Sequence, residues 1–314
     1  VSELSTRTID NLGADLSIVL PAHNEASELA RLLPDLATRY PAAEILVVDD
    51  ASTDNTASVC DASGVRRLTH PQTKGNGAAI KAGARRARGN VLVFMDADGQ
   101  HAPAEIQNLL ALLVEGYDLA VGARGRSAQA SAARWAANTF YNRFASWFVG
   151  HPVADLTSGF RACHARVFRE FLSLLPNGFS YPTTSTMAFF RAGYSVGYVP
   201  IEAVRRHGNQ PSHIRPFRDG ARFFLIIFRI GTLYSPLKLF LPVSMLFFLS
   251  GLGYYCFKAV ANGHLMFTNG TGLLFITAIL VFLIGLVSEQ ITQLVYASRD
   301  APPDPSQKDD EPDR

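Results

Sequence analysis

Two apolar runs near the carboxyl end constrain this chain more than any other feature. Leu237 to about Phe257 and Leu273 to about Val295 are long and nearly uncharged, with Glu289 only near the end of the second. Each approaches the roughly 20 residues that a helix needs to cross a bilayer. The link Asn262–Thr271 contains no Lys or Arg, whereas Arg215, Arg218, Arg222, Arg229 and Lys238 precede the first run and Arg299 follows the second. That basic bias puts both flanks on the cytoplasmic side and the link outside. The runs predict a two-helix membrane anchor, too poor in polar residues for a channel or pump.

The remainder reads differently. Mean hydropathy is +0.10, high for a soluble protein, but the excess sits in the last third, and residues up to about Val204 read as a soluble domain. The formal charge of +2 over 314 residues is too balanced for general nucleic-acid binding. Cys60, Cys163 and Cys256 are far apart and form no Cys-x-x-Cys pattern, so free thiols in a reducing compartment are expected. The stretch VSELSTRTIDNLGADLS has no apolar centre and is not a secretory signal. The soluble part and both termini are therefore expected in the cytoplasm. Residues from Ala301 onward are rich in Pro and Asp and are expected to be disordered.

Within the soluble part, short apolar runs alternate with helical patterns. Leu16–Leu20, Glu44–Val48 and Val91–Met95 read as buried strands, Val65–Leu68 and Asp118–Val121 as weaker ones. Leu29, Leu32, Leu33 and Leu36 fall at helical spacing, and Thr53–Ala62, Gly77–Arg88 and Asn108–Val114 read as further helices. This alternation indicates an α/β fold with a mostly parallel, Rossmann-like sheet and helices on both faces. In such sheets ligands bind beyond the carboxyl ends of the strands, where Asn24, Glu25, Asp49, Asp50, Asp96 and Asp98 fall. Ala128–Val149 is helical and rich in aromatic residues, a core helix by default and a lid over a lipid site in the sharper reading. Arg215–Tyr234 carries Arg218, Arg222 and Arg229 near one helical stripe and Phe217, Ala221, Phe224, Leu225 and Phe228 on a neighbouring face, a pattern that suits a membrane interface, an amphipathic helix packed on the domain being the plain alternative. The domains expected are a flexible start (1–14), the α/β domain (15–213), the interface helix (214–235), the hairpin (236–297) and the tail (298–314).

Three constellations carry chemistry. Asp96-Ala97-Asp98-Gly99-Gln100-His101 follows a buried strand. Its two carboxylates, helped by the Gln100 amide oxygen, can converge on Mg²⁺ or Mn²⁺, which prefer oxygen ligands and bridge to a substrate diphosphate; a polar turn is the plain alternative. Pro21-Ala22-His23-Asn24-Glu25 and the run Val47–Asp54 end adjacent strands, where carboxylates can hold a base and ribose hydroxyls, or simply cap helices. Lys74-Gly75-Asn76-Gly77 precedes a helix but matches neither the Walker pattern nor the dinucleotide fingerprint. It reads as a turn whose Lys74 can approach a donor.

The order VLPAHNE, VVDDASTDNT, KGNGAAIKAG, FMDADGQH, VGAR, DLTSGFRA resembles family-2 glycosyltransferases of the GT-A fold. More narrowly it is similar to dolichyl-phosphate mannose synthases and bacterial polyprenyl-phosphate glycosyltransferases. The match covers about Leu16 to Gly208, and two carboxyl-terminal spans suit the bacterial members, whose place is the inner membrane. The resemblance implies transfer of one sugar, with inversion, from a UDP- or GDP-linked donor to a polyprenyl phosphate. It puts Pro21, Asn24, Glu25 and Asp50 by the nucleotide base, with Lys74 on the donor side. Asp96, Asp98 and Gln100 would hold the metal and diphosphate. Arg124, Arg134 and Asn138 would bind the acceptor phosphate, and Asp155 and Ser158 would border sugar and acceptor. Arg206 would support the leaving diphosphate, so Asp98, Asp155 and Arg206 form the expected catalytic set. Many relatives carry a Ser-Lys pair further on; here Ser212 is followed by His213, a donor contact charged only conditionally near neutral pH.

Two rivals are weaker. A processive polysaccharide synthase of the same broad family usually carries Gln-x-x-Arg-Trp; here Arg134-Trp135 follows Ala132-Ala133, lacks the Gln and lies too early. A non-catalytic nucleotide-sugar-binding scaffold does not account for the Asp96/Asp98 pair. The sequence leaves open which sugar and nucleotide are used, and whether the chain forms a homo-oligomer.

Overall fold

The computed structural model describes residues 15–125, 132–178, 180–201, 225, 228, 231–232, 235–264 and 267–300. The side chains of 132–135, 137 and 295–300 lie outside that description. So do Arg206, His213 and most of the basic amphipathic stretch. The chain forms two compact units, Val1–Ile227 and Phe228–Arg314.

The first unit is built on a seven-stranded sheet in the order β3-β2-β1-β4-β6-β5-β7. The strands are β1 (Leu16–Ala22), β2 (Glu44–Asp49), β3 (Arg66–Thr69), β4 (Val91–Phe94), β5 (Leu119–Arg124), β6 (Arg161–His164) and β7 (Val196–Ile201). β1 runs parallel to β2 and β4, β2 to β3, and β5 to β7. β6 runs antiparallel to both β4 and β5. This is the mostly parallel, mixed GT-A sheet, with the antiparallel strand β6 between β4 and β5. β1, buried along its length, continues through Pro21. β4 pairs only with Leu16–Val19, so the missing proline N–H lies past the end of that ladder.

Helices follow the strands: α1 (Ala26–Arg39), α2 (Thr56–Ala62), α3 (Asn76–Arg86), α4 (Ile106–Val114), α5 (Ala132–Val149), α6 (Ala165–Glu170) and α7 (Tyr181–Arg191). The apolar stripe of α1, Leu29, Leu32, Leu33 and Leu36, is buried with Ile18, Leu20, Val93 and Leu110 in one core. α2 starts later than Thr53, because the residues before it are engaged in the turn described below. α7 is buried from Tyr181 to Phe189 although it carries Thr183, Thr184, Ser185 and Thr186. Cys60 and Cys163 are buried free thiols, and Cys256 is an exposed one.

The second unit is an antiparallel helical pair, α8 (Pro236–Asn262) and α9 (Asn269–Asp300). Ser244 Oγ donates to the Ala278 carbonyl at 2.8 Å and the Leu237 N–H to Glu289 Oε2 at 3.2 Å. Gly251 lies against Phe275 and Gly285 against Phe240, the close approach that small residues allow between membrane helices. Both helices are long and apolar enough to cross a membrane, and only 11% and 17% of their most apolar windows are buried. Leu246, Phe257, Leu273 and Leu294 are each more than half exposed. A water-soluble core would cover such residues; a bilayer leaves them facing lipid.

Candidate active site

The carboxyl ends of β1, β2 and β4 lie side by side in the register of the sheet. The turns after β1 and β2 lock into each other. Asn24, at φ 58°, accepts at its amide oxygen from the Thr53 N–H at 2.8 Å and the Asp54 N–H at 3.3 Å. Its own N–H donates to Ser52 Oγ at 2.9 Å. Asp54 returns the contact, accepting from the Ala26 N–H at 3.1 Å and from the Thr56 hydroxyl at 2.6 Å. Asp49 accepts from the Ser52 N–H at 2.9 Å. Asn24 and its neighbours thus lock together the turns beyond β1 and β2.

Asp50 is almost wholly engaged by its own chain. Its carboxylate accepts from His70 Nδ1 at 2.7 Å, from the Lys74 N–H at 2.9 Å and from the Gly75 N–H at 2.7 Å. Burial pushes this carboxyl up, but the bonds from His70, Lys74 and Gly75 outweigh it and hold the pKa below the usual range. The ionised Asp50 therefore fixes the loop that presents Lys74.

The helix that follows offers no phosphate cradle. Its first N–H groups are already used: Gly77 donates to the Gly178 carbonyl at 3.1 Å and Ala78 to the Asn177 carbonyl at 2.7 Å. Lys81 Nζ reaches the same loop, donating to the Leu175 carbonyl at 3.0 Å. A Cβ on Gly77 would stand 2.1 Å from the Pro176 oxygen, a backbone atom. Gly77→Ala is therefore expected to destabilise the protein by about 1–3 kcal/mol, read as a lowered unfolding midpoint; an unchanged midpoint would contradict this packing.

Beyond β4, Ala97 is buried while Asp96 and Asp98 are half-exposed on either side of it. Asp96 Oδ1 lies 3.5 Å from Asn76 Nδ2, and its carboxylate lies against Gly159, where a Cβ would come within 2.8 Å of Oδ2. Asp98 Oδ1 accepts from the Gln100 N–H at 3.1 Å, closing the turn through Gly99 at φ 71°. His101 is buried and stacks on Phe160 at 4.8 Å. Burial holds its pKa below the ordinary value, only partly offset by Asp98, so a neutral ring backs the acidic turn. Among the described residues no three His, Cys, Asp or Glu side chains converge on a single ion position. The pair suits a hard divalent ion whose other ligands come from substrate oxygens and water.

On the far side of β4, Arg124 and Asp155 form a bidentate pair. Arg124 Nε donates to Asp155 Oδ2 at 2.8 Å and Nη2 to Oδ1 at 3.1 Å, while Nη2 also donates to Thr157 Oγ1. Asp155 further accepts from the Thr157 N–H at 3.0 Å and the Ser158 N–H at 3.1 Å. Burial raises the Asp155 pKa, but Arg124 and these N–H groups overcome it and leave it low. A carboxylate so surrounded is an organiser of its loop and a poor proton acceptor. Asn142 on α5 holds the same loop, donating to the Ala154 carbonyl at 2.7 Å and accepting from the Leu156 N–H at 3.1 Å. Asn138 sits one turn earlier, half-buried; the Arg134 side chain is outside the description. Ser158 Oγ is buried with no hydrogen-bond partner among the described residues.

Sequence reasoning passed over Arg161. It is fully buried, donates to the carbonyls of Ser158 and Pro182 and to Ser185 Oγ at 2.7 Å, and lies over the Tyr181 ring at 5.6 Å. It ties the loop after Asp155 to the start of α7. Its signal was the arginine inside DLTSGFRA, next to the buried Phe160, Ala162 and Cys163.

A mixed, mostly parallel sheet with acidic residues beyond β4 is the GT-A arrangement, and likeness to known proteins gives it a family. The chain belongs to glycosyl transferase family 2, whose model matches residues 17–173; the GtrB C-terminal hairpin matches residues 235–294. It is 32% identical over 204 residues to polyprenol monophosphomannose synthase of Mycolicibacterium smegmatis, covering 60% of this chain and 77% of that one. It is 33% identical over 206 residues to undecaprenyl-phosphate mannosyltransferase of Micrococcus luteus, covering 60% and 83%. Its fold is similar to glucosyl-3-phosphoglycerate synthase from Mycobacterium tuberculosis in complex with Mn²⁺, uridine-diphosphate-glucose and phosphoglyceric acid. There the TM-score is 0.57 at 19% identity, over 72% of this chain and 84% of that one.

Proposed function

We propose that this chain transfers a single sugar, with inversion, from a UDP- or GDP-linked donor to a polyprenyl phosphate. The observation that carries the reading is the Asp96/Asp98 turn beyond β4, in a chain that also bears two bilayer-length helices. The acceptors named for its relatives support the choice of lipid.

The nucleophile is a phosphate oxygen of the lipid. It attacks the anomeric carbon as the bond to the donor diphosphate breaks, and the electron pair leaves with the nucleoside diphosphate. The second pKa of a phosphate monoester lies near ~6, so at neutral pH no proton need be removed. That agrees with an Asp155 whose oxygens are filled by Arg124, Thr157 and Ser158. Asp155 then acts by positioning Arg124 for the lipid phosphate, together with Asn138 and Arg134. Asp96, Asp98 and Gln100 would hold Mg²⁺ or Mn²⁺, and a bound ion would supply charge stabilisation to the diphosphate. Arg206, in the expected catalytic set, and His213 serve the donor side. Pro21, Asn24, Glu25 and the Asp50-held Lys74 loop border the nucleotide. Most of the rate comes from holding the two reactants in line.

The hairpin keeps the enzyme in the bilayer that dissolves its acceptor, which raises the effective concentration of that acceptor. The basic flanks support a catalytic unit on the cytoplasmic side, as in a bacterial inner membrane. A cysteine introduced at Gly263 is accordingly expected to react with an impermeant thiol reagent added outside intact cells. Labelling only after lysis would reverse the orientation.

The deciding experiment incubates the purified protein with polyprenyl phosphate and a panel of nucleotide-sugars and weighs the lipid product. One sugar on one lipid phosphate is expected; a polymer, or no lipid product from any donor, overturns the proposal.

A further inference from the structure

We infer that the small cavity at the start of α7 seats hydroxyl groups of an uncharged donor sugar, with Ser180 reading them, and that it rejects donors whose sugar carries a carboxylate. The inference rests on the sugar-transfer reading above and narrows its substrate class.

The cavity measures about 100 Å³ and opens beside Asp96, between Asn76 and the first turn of α7. That is well below the ~300–1,000 Å³ of a pocket for a whole small ligand, so it takes one edge of a sugar. Gly159 and Gly178 form part of its wall, leaving backbone open to close approach. Ser180 lines it, is only 4% exposed, and its Oγ has no hydrogen-bond partner among the described residues. A buried hydroxyl left unpaired is unfavourable, and a ligand group entering here satisfies it. The neighbouring hydroxyls are already committed: Thr157 donates to Asp155 Oδ1 at 3.1 Å, and Thr183 to the Leu156 carbonyl at 3.4 Å. Arg161, bonded to the Pro182 carbonyl and Ser185, holds this end of α7 in place.

Charge selects the occupant. The described lining contains the Asp96 carboxylate and no Lys or Arg; Arg161, behind the Tyr181 ring, donates instead to the Ser158 and Pro182 carbonyls and to Ser185 Oγ. The amino end of α7 contributes only a partial positive charge. A sugar carboxylate would meet Asp96 at short range in a partly dehydrated site. A sugar hydroxyl can donate to Asp96 and pair with Ser180 at once.

The test uses the full-length protein with polyprenyl phosphate and UDP-glucose, UDP-galactose, UDP-N-acetylglucosamine, GDP-mannose and UDP-glucuronate. Ser180→Ala and Ser180→Gly are compared with wild type; glycine suits the backbone at φ 87°, so that variant keeps the fold while losing the hydroxyl. The best donor is expected to be uncharged, with glucuronate at least about 100-fold lower in kcat/KM. Both variants are expected to raise the donor KM roughly tenfold at little-changed kcat. One monodeoxy analogue of the best donor should then be used equally well by all three proteins. Preference for glucuronate, or variants with unchanged donor KM, overturns the inference while leaving sugar transfer standing. A wild type that transfers from none of these donors removes both.

Discussion

Asp98→Ala is expected to lower kcat/KM by at least about 1,000-fold, equivalent to roughly 4 kcal/mol of transition-state stabilisation, while the protein stays in the membrane fraction. Asp98 is half-exposed and, in the contacts described above, its carboxylate closes the turn to Gln100. The fold should lose little by its removal, because the anchor is a separate compact unit and the core beneath the turn is formed by Val93, Met95 and Ala97. The loss should instead fall on the diphosphate, whose developing charge would no longer face a held divalent ion. Normal turnover by the variant with Mg²⁺ or Mn²⁺ present would refute the metal assignment, and a large drop in its unfolding midpoint would show that the residue is structural.

Arg124→Ala should act on two fronts. It strips Asp155 of its cation, leaving a buried carboxylate with only N–H and hydroxyl donors, at an expected cost of about 3 kcal/mol in stability. It should also raise KM for polyprenyl phosphate more than KM for the nucleotide-sugar, since the guanidinium faces the acceptor in the proposed arrangement. Equal losses on both substrates would contradict that role. Arg124→Lys should recover only part of the stability, because an ammonium cannot reproduce the bidentate geometry. The pair also predicts a pH dependence. The folded Asp155 pKa lies below the ordinary 3.8, so its contribution is fully present above that value. It is lost as pH falls through the lower folded value. The acid limb of a stability curve should therefore shrink in Arg124→Ala, measurable by denaturant unfolding between neutral pH and the acid transition.

The parts of this architecture that were legible in the sequence are those whose signal is local. β1, β2 and β4 are largely apolar runs because they are covered on both faces, and polar residues follow each of them. The stripe on α1 follows from the spacing of its leucines, and the two long helices from the length and apolar content of their runs. β6 was not legible. It has four residues, Arg-Ala-Cys-His, and its buried arginine is neutralised in effect by carbonyls and hydroxyls that only the folded chain supplies. α7 was hidden for the same reason, since its threonines are polar in sequence and wholly buried in the fold. In the site, the acidic turn after β4 was visible as a motif. The engagement of Asp50 by His70, Lys74 and Gly75, and of Arg124 by Asp155, spans 20 to 31 positions and is a product of tertiary packing. These bonds make Asp50 and Asp155 organisers of the loops on which they sit.

The most direct test of the central claim measures Mn²⁺ binding by electron paramagnetic resonance in the intact, detergent-solubilised protein, with and without a nucleoside diphosphate. One Mn²⁺ per chain is expected, held more tightly when the nucleotide is present. Asp98→Ala should abolish that nucleotide-dependent binding while keeping the wild-type unfolding midpoint. Equal Mn²⁺ binding by wild type and variant, or binding indifferent to the nucleotide, would contradict the account.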